Sequence, residues 1–378
     1  MKLRMAVALV AGVCTAVAAQ TPAPSGVLLV LAKSDLTLST VDPSTFKVLG
    51  RVPSGPDPHE VVASADGRVA YVSNYGGGSL NTITVVDLVE QKALPPIDLG
   101  PLRGPHGLVF VAGKLWFTAE GAKVIGRYDP ATKQIDLVLG TGQNRTHMIF
   151  VSDDANRIVT SNVSSATMTI IEKTAGGGRG FGPGGPPPGV PNRGGGPGPG
   201  GGAPNRGGTP GAAQAPPGGG RGSGGPLQSD WDETVVGVGS GVEGFDVSPN
   251  GREIWAANAQ DGTVSIVDVA TRKVTETLSA NVTGANRLKF TPDGKLVFVS
   301  TLRGSDLTII DAATRRETKR VKIGRGAAGI QMQPDGSRAY VACTPDDYVA
   351  IIDLKSLEVT GRIDAGKQPD GLAWAVRH

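Results

Sequence analysis

Ser248-Pro249-Asn250-Gly251 is followed by Thr291-Pro292-Asp293-Gly294 and then by Gln333-Pro334-Asp335-Gly336, at steps of 43 and 42 residues. Each quartet is a turn. Pro presets φ, the Asn or Asp side chain folds back onto the backbone, and Gly accepts a positive φ. A second marker keeps the same beat: Asp42, Asp87, Asp129, Asp268, Asp311 and Asp353 each close a short apolar run. Between the markers lie runs rich in β-branched residues, as in Gly329–Met332, Ala339–Cys343, Tyr348–Ile352 and Glu358–Ile363. Short strands at a period of about 40–45 residues mark a β-propeller blade, here a four-stranded sheet with strands A to D running outward from the axis. No window carries a long helical period, so the chain is predicted to be all-β.

Strand A begins near Val61, Leu108, Ile149, Phe245, Leu288, Ile330 and Leu372. The last of these, Gly371–Val376, has no B, C or D strand after it. Conversely Val27–Ala32, Leu36–Val41 and Phe46–Val52 read as B, C and D without an A. The two fragments complete each other, which predicts seven blades with a closing blade shared between the chain ends. Such closure ties the chain ends together and leaves no exposed sheet edge between them. The repeated Asp is expected to start each C–D turn through an Asx bond, and Trp116, Trp255 and Trp374 to pack between blades.

Residues 1–19 read as a secretory signal peptide. Lys2 and Arg4 precede an uncharged apolar run that ends in small residues. Cys14 follows the bulky Val13, which argues against a lipid anchor, and the run is too short to span a membrane. The expected setting is periplasmic or secreted, with residues 20–378 forming one propeller domain. Cys343 is then the sole cysteine, so no internal disulfide is expected. Residues 175–227 are almost wholly Gly, Pro, Ala, Asn and Arg and carry too few apolar groups to order themselves. By register this insertion separates strands C and D of the third blade. The formal net charge of +3 includes Lys2, Arg4, Arg179, Arg193, Arg206 and Arg221; without these six cations the rest of the chain stands at −3. With no basic stripe and few aromatics, nucleic acid is disfavoured as a partner. A monomer binding a small molecule, peptide or protein is the expectation.

The chemistry-bearing pattern is the residue just ahead of strand A: His59, His106, His147, Glu243, Asn286, Ala328 and Asp370. Three of the four histidines of the chain share this register. In a propeller the D–A connections gather at the mouth of the central channel, beside the B–C loops. Imidazoles at His59, His106 and His147 could hold one divalent cation. Glu60, Glu243 and Asp370 could supply oxygen ligands or acid–base groups; His59, Glu60, Glu243 and Arg287 are the candidate catalytic residues, with Arg287 able to hold a substrate carboxylate. The B–C loops add Asn74, Glu120, Asn162, Asn258 and Arg303. Against a site stands the fact that Pro-His-Gly and Pro-His-Glu are also good turn sequences. No serine nucleophile elbow, cysteine zinc knuckle or phosphate loop is present.

Segments such as Val264-Ser265-Ile266-Val267-Asp268-Val269 and Ser337-Arg338-Ala339-Tyr340-Val341-Ala342 resemble the YVTN-type propeller repeat and the periplasmic YncE-like proteins. That resemblance implies a secreted or surface propeller of seven blades. Pro58-His59-Glu60-Val61 through Ser73-Asn74-Tyr75-Gly76-Gly77-Gly78 is similar to a stretch of bacterial sugar-lactone lactonases, and Pro105-His106-Gly107-Leu108 to metal-dependent streptogramin lyase propellers. Each of these covers about one blade. They imply an enzymatic alternative, a lactonase-like hydrolase or metal-assisted lyase, to the leading reading of a binding module at a His-lined mouth.

Overall fold

The computed structural model describes residues 26–174 and 231–377. The expected signal segment, the insertion from Gly176 to Pro226 and His378 lie outside them. Seven four-stranded sheets make up the described chain, and its helical segments are three short 3-10 turns at Gly76–Gly78, Val163–Ser165 and Thr344–Asp346. Strands A of blades I to VII are Pro58–Ala63, Pro105–Val111, Thr146–Val151, Val242–Val247, Ala285–Phe290, Ala327–Met332 and Pro369–Val376. Among the described residues no helix is long and apolar enough to cross a membrane.

Blade VII joins the two ends of the chain as the repeat count requires. Pro369–Val376 pairs antiparallel with Gly26–Ala32, setting Leu28 opposite Trp374 and Val30 opposite Leu372. Thr37–Val41 and Val48–Pro53 complete the sheet. Leu28 to Ala32 are 0% exposed, because a strand alternates its side chains between two faces and a neighbouring blade covers each. Leu29 and Leu31 enter the core shared with Val61 and Val72 of blade I. Leu28 and Val30 enter the core shared with Tyr340 and Ile351 of blade VI.

The turns follow the chemistry of the repeat. Asp42 accepts the Ser44 N–H at 2.8 Å, Asp87 that of Val89 at 2.9 Å, and Asp353 that of Ser356 at 2.8 Å. Asp129, Asp268 and Asp311 do the same. The residue ending two of these turns also straps blade to blade. Arg272 reaches Glu172 and Thr234 of blade III, and Arg315 reaches Glu253 and Glu276 of blade IV. Trp116 and Trp255 are fully buried and Trp374 is half-buried. Cys343 is free and buried, and burial pushes its thiol up to about 11.

One boundary differs from the sequence reading. Strand A starts about three residues earlier than its apolar pattern, so His59, His106 and His147 lie inside the strand rather than ahead of it. The reason is a β-bulge. Pro58 faces Asn74 while Val61 faces Val72, and the same register shift recurs between Pro105 and Leu108 and between Thr146 and Ile149. The extra residue breaks the period-two alternation and re-aims the side chains there.

Leu31→Ala should cost about 2–5 kcal/mol, because Leu31 is wholly buried in the closing blade. Equilibrium urea unfolding checks this, with exposed Leu36→Ala as the control expected to change stability by about 0.5 kcal/mol or less.

Candidate functional site

A hydrogen bond repeated in all seven blades builds the mouth of the channel. The residue just ahead of strand A has a positive φ in each: Asp57, Gly104, Arg145, Gly241, Gly284, Gly326 and Gln368. Its carbonyl accepts the N–H of the residue one past strand B, namely Tyr75, Glu120, Val163, Ala259, Leu302, Thr344 and Lys33, at 2.9–3.2 Å. This bond fixes each B–C loop over its own strand A. Successive strands A also approach closely, since a Cβ on Gly107 would come 2.6 Å from the carbonyl oxygen of His147.

A cavity of about 430 Å³ opens there. All seven residues of the histidine register line it: His59, His106, His147, Glu243, Asn286, Ala328 and Asp370. Lys33, Tyr75, Leu302 and Thr344 join from the position one past strand B, and Arg145 and Gln368 from the positive-φ position. The B–C candidates read from sequence were mostly one residue out of this register. Asn74, Asn162 and Asn258 end strand B and are buried. Asn74 donates to Ser54 O at 3.0 Å, Asn162 to Thr169 at 2.9 Å and Asn258 to Ser265 at 2.9 Å. Arg303 lies one residue beyond and lines an adjoining cavity of about 180 Å³. Lys33, Arg145 and Gln368 were missed; aligning every blade on the last residue of strand B and the last before strand A would have found them.

At the centre His147 is held between two carboxylates. Its Nδ1 contacts Glu120 Oε1, and its Nε2 lies 3.0 Å from Glu243 Oε2. Tyr75 Oη donates to the other oxygen of Glu120. Burial opposes a charge on His147, but the hydrogen bonds and charges of Glu120 and Glu243 outweigh it and raise its pKa above 6.5. Burial pushes Glu243 up, yet His147, Arg287 and Arg145 bring it down to about 2. His106 lies against His147 with ring centroids 3.8 Å apart. It is 2% exposed, and its Nδ1 has no hydrogen-bond partner. Burial first, then the positive field of His147 and Arg287, holds its pKa well below 6.5. His59 follows at 5.1 Å from His106, with Lys33 Nζ 2.9 Å from its Nε2 and 3.3 Å from Asp370.

Below these, Arg287 of blade V pairs with Glu60 of blade I. The two blades are not neighbours, so the pair spans the channel and forms a floor. The Arg287 guanidinium is therefore engaged by protein rather than held open for a carboxylate. Asp370 stands beside it, and burial raises its pKa.

The three imidazoles do not form one donor set. The set whose donor atoms lie within 4.8 Å of one another is His106, Glu120 and His147. Two imidazoles and a carboxylate suit zinc or iron. As packed, both nitrogens of His147 face carboxylates, so a cation would have to displace Glu120 or Glu243 from it. The side chains fit a hydrogen-bonded acid–base cluster as they stand.

Neither a protein-family model nor a curated protein matches the chain. Solved structures do. A functionally unknown protein from Desulfotomaculum acetoxidans superposes with a TM-score of 0.66 at 11% identity, over 94% of this chain and 100% of that one. A candidate 6-phosphogluconolactonase from Bacteroides uniformis gives 0.64 at 12% identity, over 93% and 99%. Another, from Bacteroides fragilis, gives 0.64 at 13%, over 93% and 98%. The chain shares their fold. At these identities the likeness carries the fold alone, and the YVTN-type resemblance rests on the sequence repeat itself.

The protonation pattern predicts opposite titrations. In histidine NMR, His147 should keep its proton above pH 6.5 while His106 stays neutral below it. The stabilisation from His147, whose pKa is raised on folding, is full below pH 6.5 and lost as pH rises through its folded value. The depressed His106 acts in the other direction: stability falls as pH drops below 6.5 toward its folded value. Two histidines titrating together near 6.5 would refute this.

Proposed function

We propose that the channel mouth takes up a small molecule and acts on it by general acid–base catalysis, as a hydrolase of the ester or lactone class. One observation carries this reading. His106 and His147 are in ring contact while their surroundings push their proton affinities apart. Neighbouring groups driven to opposite protonation states supply a base and an acid at one pH.

The roles follow from the contacts. Glu120 holds Nδ1 of His147, which orients the ring and keeps it charged. Nε2 then carries the proton for a leaving group. Neutral His106 accepts a proton from water as the water oxygen bonds to the acyl carbon. The acyl–oxygen bond breaks, the leaving oxygen takes the proton from His147, and an acid and an alcohol result. The Glu60–Arg287 floor closes the channel beneath the reacting groups. Two of the fold's neighbours being candidate lactonases is in keeping with this class.

Binding without turnover has one observation in its favour: the His147 Nε2 proton already faces Glu243 at 3.0 Å, so it must be released before it can be donated.

A panel of aliphatic and sugar lactones, assayed by pH-stat, separates the two. His147→Gln should lower turnover by about 10²–10⁴-fold. His106→Phe should also abolish it, yet raise the thermal midpoint, since it removes a buried nitrogen that lacks a partner. Ligand capture by wild-type protein with no hydrolysis across the panel would leave the binding reading in its place.

A further inference from the structure

We propose that the molecule taken up at the mouth carries an anionic group, a carboxylate or a phosphate, and that Arg145 and Arg303 hold it. This rests on the small-molecule site argued above and names its ligand class.

The backbone of Arg145 supplies the first reason. Its φ is 54°, in a register where Gly104, Gly241, Gly284 and Gly326 serve four of the seven blades. A side chain there carries a conformational cost that glycine avoids. Contacts within the protein offset little of it. The guanidinium lies 3.5 Å from Glu120 and 4.0 Å from Glu243, and the side chain is 42% exposed. His147 offers one positive charge to these two acids, so Arg145 shares in balancing them from a distance. An arginine 42% exposed at a cavity wall, with its acidic partners at 3.5 and 4.0 Å, keeps guanidinium surface open to a ligand.

Arg303 supplies the second reason. Among the described residues its guanidinium has no ion pair or hydrogen bond; only its backbone N–H is engaged, by Thr301. Its stem lies over Gly284, where an added Cβ would come 2.7 Å from Arg303 Cγ. Glycine at that position is what lets the arginine lie along the mouth.

The third reason is that both arginines line the same cavity of about 180 Å³, whose wall includes Glu243 and Asn286 of the main cavity. A guanidinium suits the planar, multi-acceptor geometry of carboxylate and phosphate, and this one cavity has two arginines in its lining. The nearby carboxylate of Glu243 faces both His147 and Arg145 and does not stand as a free repelling charge. Leu302, half exposed beside them, offers an apolar wall for the rest of the ligand.

The test uses the full chain and needs no turnover. The His106 and His147 NMR signals are followed while inorganic phosphate, glutarate or neutral glutaramide is added. At least one anion should give saturable shifts and glutaramide none. Arg145→Gly should weaken anion binding about tenfold or more without lowering the thermal midpoint, and Arg303→Gln should weaken it likewise. His147→Gln should retain anion binding, read through His106, while losing hydrolysis. Glutaramide binding as tightly as glutarate, undiminished affinity in Arg145→Gly, or no saturable shift with either anion would overturn the proposal. Those results leave the acid–base reading standing, whereas anion capture by a protein that hydrolyses nothing removes that reading and keeps this one.

Discussion

The pairing of Pro369–Val376 with Gly26–Ala32 is the constraint on which the molecule depends. Each blade buries its faces only against neighbours, so a ring left open would expose a sheet edge and two apolar faces at once. The closing strand pair carries this burden with five consecutive residues wholly removed from solvent. Closure also fixes the site, because it brings Asp370 and Lys33 from opposite chain ends to within 3.3 Å of each other at the mouth.

The mouth reuses one device seven times. A positive-φ residue, a bulged strand start and a loop N–H donating to the carbonyl ahead of the strand recur in every blade. The backbone is nearly symmetric and the side chains are not. Blades I to III present histidine, blade IV glutamate and blade VII aspartate at the same position. The scaffold thus holds chemically different groups at equivalent points around one opening, and rigid strands rather than loops carry them.

Placing so many ionisable groups together works against stability. His106 leaves a buried nitrogen without a partner, and Asp57, Arg145 and Gln368 occupy a backbone region where four blades use glycine. Arg287 is buried at a cost that Glu60 offsets only by reaching across the channel. The C–D turns also place Gln91, Lys133, Arg272 and Arg315 at positive φ, but they gather no comparable cluster of buried ionisable groups. A cluster of buried ionisable groups gathered at one opening is what a functional site looks like.

The architecture was legible in the chain because its signals are local and repeated. Pro-Asp-Gly turns, the Asp after strand C and the incomplete strand sets at the two ends imply a ring before any contact is known. The histidine register was legible for the same reason, since His59, His106 and His147 stand at one place in successive repeats. The partners were not. A bulge hides the true start of strand A from period-two reading, and the B–C candidates Asn74, Asn162 and Asn258 are strand-end residues buried and hydrogen-bonded away from the mouth. Arg287 beside Glu60, 227 residues apart, and His147 between Glu120 and Glu243 arise only when the ring sets distant strands face to face. Repetition along a chain states what one blade is, whereas the opposition of charges across the axis exists only once the blades have closed around it.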